Sequence, residues 1–158
     1  SSTAGQGATF GVFLPAAPHS VAAPATQNRR AAPSQGTERI LLVEDDLAVR
    51  PLTQMALERH GYSVIAADSG VEALALWEEH GDSVDLLLTD LVMPGGVSGA
   101  QLAERLLAER PGLKVIYMSG YSDDVIERRL PAGTEGHFLS KPFSMGDLLA
   151  QVRRCLAK

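Results

Sequence analysis

From Glu38 onward, five short apolar runs alternate with stretches whose apolar residues recur at helical spacing. The runs are "RILLVE" (39–44), "YSVIAA" (62–67), "VDLLLTD" (84–90), "LKVIYMSG" (113–120) and "GHFLSK" (136–141). They read as continuous apolar segments, the pattern of strands buried on both faces. Leu47 to His60 is spaced through Val49, Leu52 and Ala56 and stops at Gly61. Pro51 requires that this helix either begin close to it or kink there. Ser69 is placed to cap a helix running through His80, with Glu72 as a capping-box partner, Leu74 and Trp77 on one face, and Gly81 as the stop. Ser98 to Arg110 has Leu102, Ala103 and Leu106 facing in, and Pro111 and Gly112 end it. Ser122 to Leu130 is a short helix ended by Pro131, and Ser144 to Lys158 closes through Leu148, Val152 and Leu156. This alternation predicts an α/β fold, a doubly wound five-stranded parallel sheet with five helices.

Open sheets of this kind bind ligands beyond the carboxyl ends of their strands. Those ends carry the polar residues of this chain. Glu44, Asp45 and Asp46 follow the first run, Asp90 ends the third, Ser119 the fourth, and Lys141 the fifth, just before Pro142. Taken singly, each has an ordinary explanation. Asp45 or Asp46 caps the helix that follows, Ser119 is a turn residue, and Lys141 is a solvated loop lysine. Together, in order and on one edge, they are poorly explained as four accidents.

Clustered carboxylates repel unless something neutralises them. A hard divalent cation such as Mg2+ takes oxygen ligands and often shares a phosphate oxygen. A carboxylate can also act as a covalent nucleophile and form an aspartyl-phosphate. A lysine ammonium then stabilises the charge on the transferring phosphoryl group, and a serine hydroxyl donates to another of its oxygens. Gly120, after Ser119, leaves room for that oxygen.

The first 37 residues differ in character. They contain no Asp or Glu, so all 19 acids fall in residues 38–158. With Arg29 and Arg30 set aside, 12 basic residues remain there, and 12 minus 19 gives a net charge of −7. Pro15, Pro18, Pro24 and Pro33 punctuate this part, and residues 18–37 read as a flexible, partly extended linker. Upstream, "GQGATFGVFLP" reads as a Gly-rich turn followed by a short strand, Thr9 to Leu14. A lone strand is unstable, so it belongs either to a preceding domain or to a pairing outside this chain.

The wider composition excludes several classes. No apolar run approaches the roughly 20 residues of a membrane helix. "FGVFLPAAP" is too short and lacks the basic flank of a signal peptide. Cys155, the single cysteine, rules out an internal disulfide and fits a reducing compartment. A net charge of −5 without a basic cluster argues against nucleic acid as a direct partner.

"LLVEDD", "LLLTDLVMPGG", "MSGY" and "LSKPF", in this order on these strands, closely resemble the receiver domain of two-component response regulators. The resemblance covers residues 38–158. It implies a flavodoxin-like sheet of order 2-1-3-4-5. It also implies that Asp90 is the phosphoacceptor, that Glu44 and Asp45 are the acidic pair for Mg2+, and that Val92 offers a backbone carbonyl to the metal. Asp45 would be a direct ligand and Glu44 would act through water. Ser119 would be the switch hydroxyl, Lys141 the phosphate partner, and Lys141–Pro142 a cis peptide. Phe138 matches the aromatic switch position but lacks a hydroxyl. Two departures stand out: "PGGVSG" has one residue more than is usual between the proline and the next family glycine, and the fourth helix region, "SDDVIERRLPAGTEG", is short and interrupted by Pro131.

Residues 1–17 resemble the last turn and strand of a histidine-kinase ATPase domain. The whole then resembles the C-terminal piece of a hybrid sensor histidine kinase, which is cytoplasmic. The implied partners are a histidine kinase as phosphodonor, on its own or a partner chain, and a downstream phosphotransfer protein. Neither nucleic acid nor membrane is expected to touch this segment.

Three rival functions fit less well. A receiver-fold interaction module that is never phosphorylated would be expected to lack the acids or the lysine. An aspartate-nucleophile phosphatase or mutase needs a second Asp two residues after the first, where this chain has Val92. A flavin carrier of the flavodoxin type needs a phosphate loop after the first strand, where this chain has acids.

Overall fold

The structure is a computed structural model of the 158-residue chain, and it describes residues 36–94, 96–120 and 138–157. The chain divides into two units, Ser1–Arg30 and Ala31–Lys158, and every described residue lies in the second. The elements in chain order are β1 (Arg39–Val43), α1 (Val49–Glu58), β2 (Ser63–Ala67), α2 (Gly70–His80), a 3-10 turn (Gly81–Ser83), β3 (Leu86–Asp90), α3 (Gly99–Glu109), β4 (Lys114–Ser119), β5 (Phe138–Ser140) and α4 (Met145–Leu156). All five strands pair in parallel in the order β2-β1-β3-β4-β5, which is the predicted fold. The described residues hold four α-helices; the expected helix Ser122 to Leu130 and the strand Thr9 to Leu14 lie outside them.

Alternate strand residues face opposite sides, which makes two cores. Leu41, Val43, Leu87, Val115 and Tyr117 face α2 and α3, where Ala73, Trp77, Leu102 and Leu106 meet them. Ile40, Leu42, Leu88, Ile116 and Met118 face α1 and α4, where Leu57, Leu148 and Val152 meet them. Because both faces are covered, the middles of β1 and β3 read as apolar runs, residues 40–43 and 86–88, without polar alternation.

Helix boundaries follow their caps. The side chain of Ser98 accepts from the Gln101 N–H and that of Ser144 from the Asp147 N–H, and each partner side chain accepts in return from the cap N–H. At α2, Ser69 accepts from Glu72 N–H as predicted. The return bond differs: Glu72 Oε2 accepts from Asp68 N–H at 2.7 Å, one residue ahead of the expected position. Pro51 is the third residue of α1, where its missing N–H has no helical acceptor to lose.

The inward face of α1 is rotated relative to the predicted one. Its buried residues are Thr53, Ala56 and Leu57, whereas Leu52 is 62% exposed. A buried threonine breaks the apolar periodicity, so spacing alone placed Ala56 correctly but put Leu52 inside and left Thr53 and Leu57 out. Gly36, the first described residue, donates its N–H to the His60 carbonyl and lies against the Tyr62 ring.

Candidate functional site

Strand register assembles the site. Val43 pairs with Thr89, so the next residues, Glu44 and Asp90, stand side by side at the carboxyl edge. Asp90 pairs with Met118, and Ser119 pairs with Ser140, so Ser119 and Lys141 fall at the same edge from the other side. The Lys141 N–H donates to the Ser119 carbonyl at 2.7 Å, which fixes where the lysine leaves β5. The Lys141–Pro142 peptide is cis, as the resemblance implied.

Lys141 Nζ lies 2.6 Å from Glu44 Oε2 and 2.7 Å from Asp90 Oδ2. One ammonium therefore bridges two carboxylates that come from different strands. Asp90 Oδ1 accepts from the Val92 N–H at 3.1 Å, so both oxygens of Asp90 are held. Glu44 is wholly buried, and its carbonyl accepts from Arg50 Nη1 at 2.9 Å. Burial pushes the Glu44 carboxyl above its usual range; Lys141 pulls it down and Asp90 raises it further. For Lys141, burial lowers the ammonium, but the hydrogen bonds and charges of Asp90 and Glu44 outweigh it and leave the lysine above its ordinary value.

The three acids after β1 separate by task. Asp46 Oδ1 accepts from the Ala48 and Val49 N–H groups at 2.7 and 3.2 Å, capping the turn into α1. These bonds hold its carboxyl below the usual carboxylate range. Asp45 makes no such bond to the helix, and it joins Glu44 and Asp90 in a cluster whose carboxylate oxygens all lie within 4.8 Å of one another. Three oxygen donors at that spacing, with only one lysine to balance them, fit a hard divalent cation. Ser119 is buried at the end of β4, and Val92 points its side chain to solvent from the loop after β3.

The approach of α3 to this edge depends on Gly99. A Cβ there would stand 1.9 Å from the Asp90 carbonyl oxygen, and the Gly99 N–H donates to Leu91 O at 3.2 Å. The sequence reading did not single out Gly99 or Arg50. The visible signals at Gly99 are its place directly after the Ser98 cap and its match to the family glycine that closes "PGGVSG".

A parallel α/β sheet with an acid cluster, an aspartate and a bridging lysine at its carboxyl edge defines the receiver class. The response regulator receiver domain family matches residues 40–153, and the chain belongs to this family. It is 41% identical over 164 residues to Sensor kinase CckA of Brucella abortus (strain 2308), across 99% of this chain and 17% of that kinase. It is 36% identical over 119 residues to Response regulator receiver protein CpdR of the same strain, across 75% of this chain and 97% of that protein. Among solved structures, the receiver domain from Hybrid Histidine Kinase CckA matches with a TM-score of 0.57 at 35% identity, over 75% of this chain and 98% of that one. The response regulator receiver protein from Sinorhizobium medicae WSM419 shares the fold with a TM-score of 0.69 at 24% identity, over 77% and 95% of the two chains. Two-component signalling is thus the setting of the domain. No helix among the described residues is long and apolar enough to cross a membrane.

Proposed function

We propose that this chain is a phosphorelay receiver from a cytoplasmic hybrid sensor histidine kinase, and that Asp90 takes a phosphoryl group from a kinase phosphohistidine. The carrying observation is the Lys141 ammonium, bonded at once to Glu44 and to the Asp90 carboxylate. In the transfer, an Asp90 oxygen forms the new bond to phosphorus as the bond from phosphorus to the histidine nitrogen breaks. The imidazole leaves with a proton in place of the phosphoryl group.

Lys141 holds Asp90 in position before transfer and offsets the added charge after it. Ser119, at the end of the adjacent strand, donates its hydroxyl to a phosphoryl oxygen. Glu44, Asp45, Asp90 and the Val92 carbonyl would hold Mg2+, with Asp45 and Asp90 as direct ligands. When bound, the ion supplies charge stabilisation for the phosphoryl oxygens. Later loss of the phosphoryl group to water or to a downstream histidine resets the domain.

The phosphodonor is read as a protein from the surface beside the site. Leu47 is 77% exposed two residues beyond Asp45, just before α1, and Leu52 and Met55, three residues apart on α1, are also exposed. Such apolar exposure next to a reactive edge fits a helical protein partner. The match to the sensor kinase extends over 99% of this chain. That extent supports reading residues 1–17 as the end of an ATPase domain and 18–37 as the linker to the receiver.

The test is intact mass after incubation with acetyl phosphate and Mg2+, beside Asp90→Asn and an EDTA control. One added phosphoryl group, absent from both controls, supports the reading. If none is added and beryllofluoride also fails to bind, the domain is a docking module that is not phosphorylated.

A further inference from the structure

The loop between β3 and α3 is one residue longer than is usual in the family, and it is described on either side of residue 95. Leu91 and Met93 are buried in the α2–α3 core, while Val92 and Pro94 face outward. At Gly96 the backbone turns through φ +113°, a conformation that favours glycine. The chain then brings Val97 back against α2. A Cβ at Gly70 would stand 2.4 Å from the Val97 carbonyl oxygen and 2.8 Å from its Cβ, so this seat exists only because residue 70 is glycine. Gly70 is the first residue of α2, and the Ser69, Asp68 and Glu72 bonds hold that end rigid.

Resting on the phosphoacceptor reading above, we propose that the Val97–Gly70 contact is a positioning contact for the site. It ties the far half of the loop to a capped helix end. The near half is tied by Leu91, whose N–H donates to Met118 O at 2.9 Å and whose carbonyl accepts from Gly99. Val92 lies between these anchors, with its N–H on Asp90 Oδ1 and its carbonyl among the groups assigned to Mg2+. A longer loop with only one anchored half samples more conformations, and each loosened conformation moves the Val92 peptide away from Asp90. The extra residue therefore supplies the reach to α2, and Val97 and Gly70 restore the order that the added length would otherwise remove.

The experiment uses the full chain and three substitutions: Val97→Gly empties the seat, Gly70→Ala blocks it, and Val97→Ile keeps a β-branched side chain in it. Amide exchange at Val92 is measured without metal, and Mg2+ affinity by an NMR titration. Val97→Gly and Gly70→Ala are each expected to speed exchange at Val92 while amides of β1 change little. Each is also expected to weaken Mg2+ binding by about tenfold, the lower end for loss of a group that orients a metal ligand. Val97→Ile is expected to match the parent chain. Gly70→Ala blocks the seat from the helix side: alanine favours the helix, but its Cβ would fall 2.4 Å from the Val97 carbonyl oxygen, so the loop and not the helix must give way. Unchanged Val92 exchange and Mg2+ affinity in both variants would overturn the proposal, as would a loss of protection spread evenly over the sheet. If the parent chain binds no Mg2+, the phosphoacceptor reading fails instead, and the exchange comparison still decides the contact.

Discussion

Lys141 reaches across 51 positions of sequence to place Nζ 2.7 Å from Asp90 Oδ2, and the same nitrogen lies 2.6 Å from Glu44. Its first partner, Asp90, keeps partial access to solvent; its second, Glu44, is buried and cannot shed its charge into water. The lysine therefore both holds the proposed phosphoacceptor and keeps a buried carboxylate tolerable.

The Lys141→Met variant tests that second task. Removing one member of a buried pair leaves the other uncompensated, which costs about 3 kcal/mol. Glu44 already has its carboxyl raised by burial, and a raised folded pKa favours the fold below pH 4.5 and loses that contribution as pH rises. Without Lys141 the carboxyl rises further, so the loss is greatest near neutral pH and shrinks as Glu44 takes up a proton. Urea unfolding in EDTA at two pH values reads this directly. An equal loss at both would assign the effect to packing instead of charge.

Asp45→Asn separates metal binding from folding. Asp45 sits in the acid cluster and makes no capping bond, so replacing it removes a like charge from Glu44 and Asp90. Without metal, the variant is expected to unfold at the same temperature as the parent or slightly higher. With Mg2+ present the parent gains stability by binding, and the variant loses most of that gain. Thermal melts with EDTA and with millimolar Mg2+ give both numbers. A variant destabilised equally in the two buffers would remove Asp45 from the metal site.

Much of this site was legible because strand ends are marked in sequence by a change from apolar to charged residues. Glu44, Asp90, Ser119 and Lys141 could be placed on one edge from that signal alone, since a parallel sheet aligns its carboxyl ends. Residue types alone left the choice between Asp45 and Asp46 open, and only the resemblance assigned Asp45 to the acidic pair. Both precede the helix, and only the bonds from Ala48 and Val49 show that Asp46 is the cap. The buried face of α1 was read only in part: Ala56 is buried as its spacing implied, but Thr53, a polar residue, takes a core position while Leu52 faces out. Gly99 was missed because its importance lies in a close approach to another strand, which local pattern does not record.

Gly99→Ala probes that approach. The added Cβ would fall 1.9 Å from the carbonyl oxygen of Asp90 and 2.9 Å from Thr89 Oγ1. Backbone cannot yield as a flexible side chain does, so α3 must shift outward. Overpacking of this kind costs about 1–3 kcal/mol, with the upper end expected here. The shift also moves Asp90, so phosphoryl incorporation from acetyl phosphate should fall along with the melting temperature. A variant that melts like the parent would show that α3 has slack at its start.

Tyr117→Phe is expected to act in the opposite direction. Tyr117 is fully buried in β4 and stacks on Phe138 of β5, with ring centroids 6.3 Å apart. Its hydroxyl has no hydrogen-bond partner among the described residues. An unsatisfied buried hydroxyl costs about 1–3 kcal/mol, so its removal is expected to raise stability by about 1 kcal/mol without altering the ring stack. Burial also pushes the phenol up to about 12. Because the folded value is raised, the neutral form favours the fold below pH 10, and that contribution is lost as pH rises through the folded pKa. Parent and variant should therefore diverge above pH 10, the parent losing about 1.4 kcal/mol for each pH unit up to its folded pKa. Chemical denaturation at pH 8 and at pH 11 measures both effects. A phenylalanine variant less stable than the parent at pH 8 would show that the hydroxyl is bonded after all, and that the Tyr117–Phe138 pair is held by more than its stack.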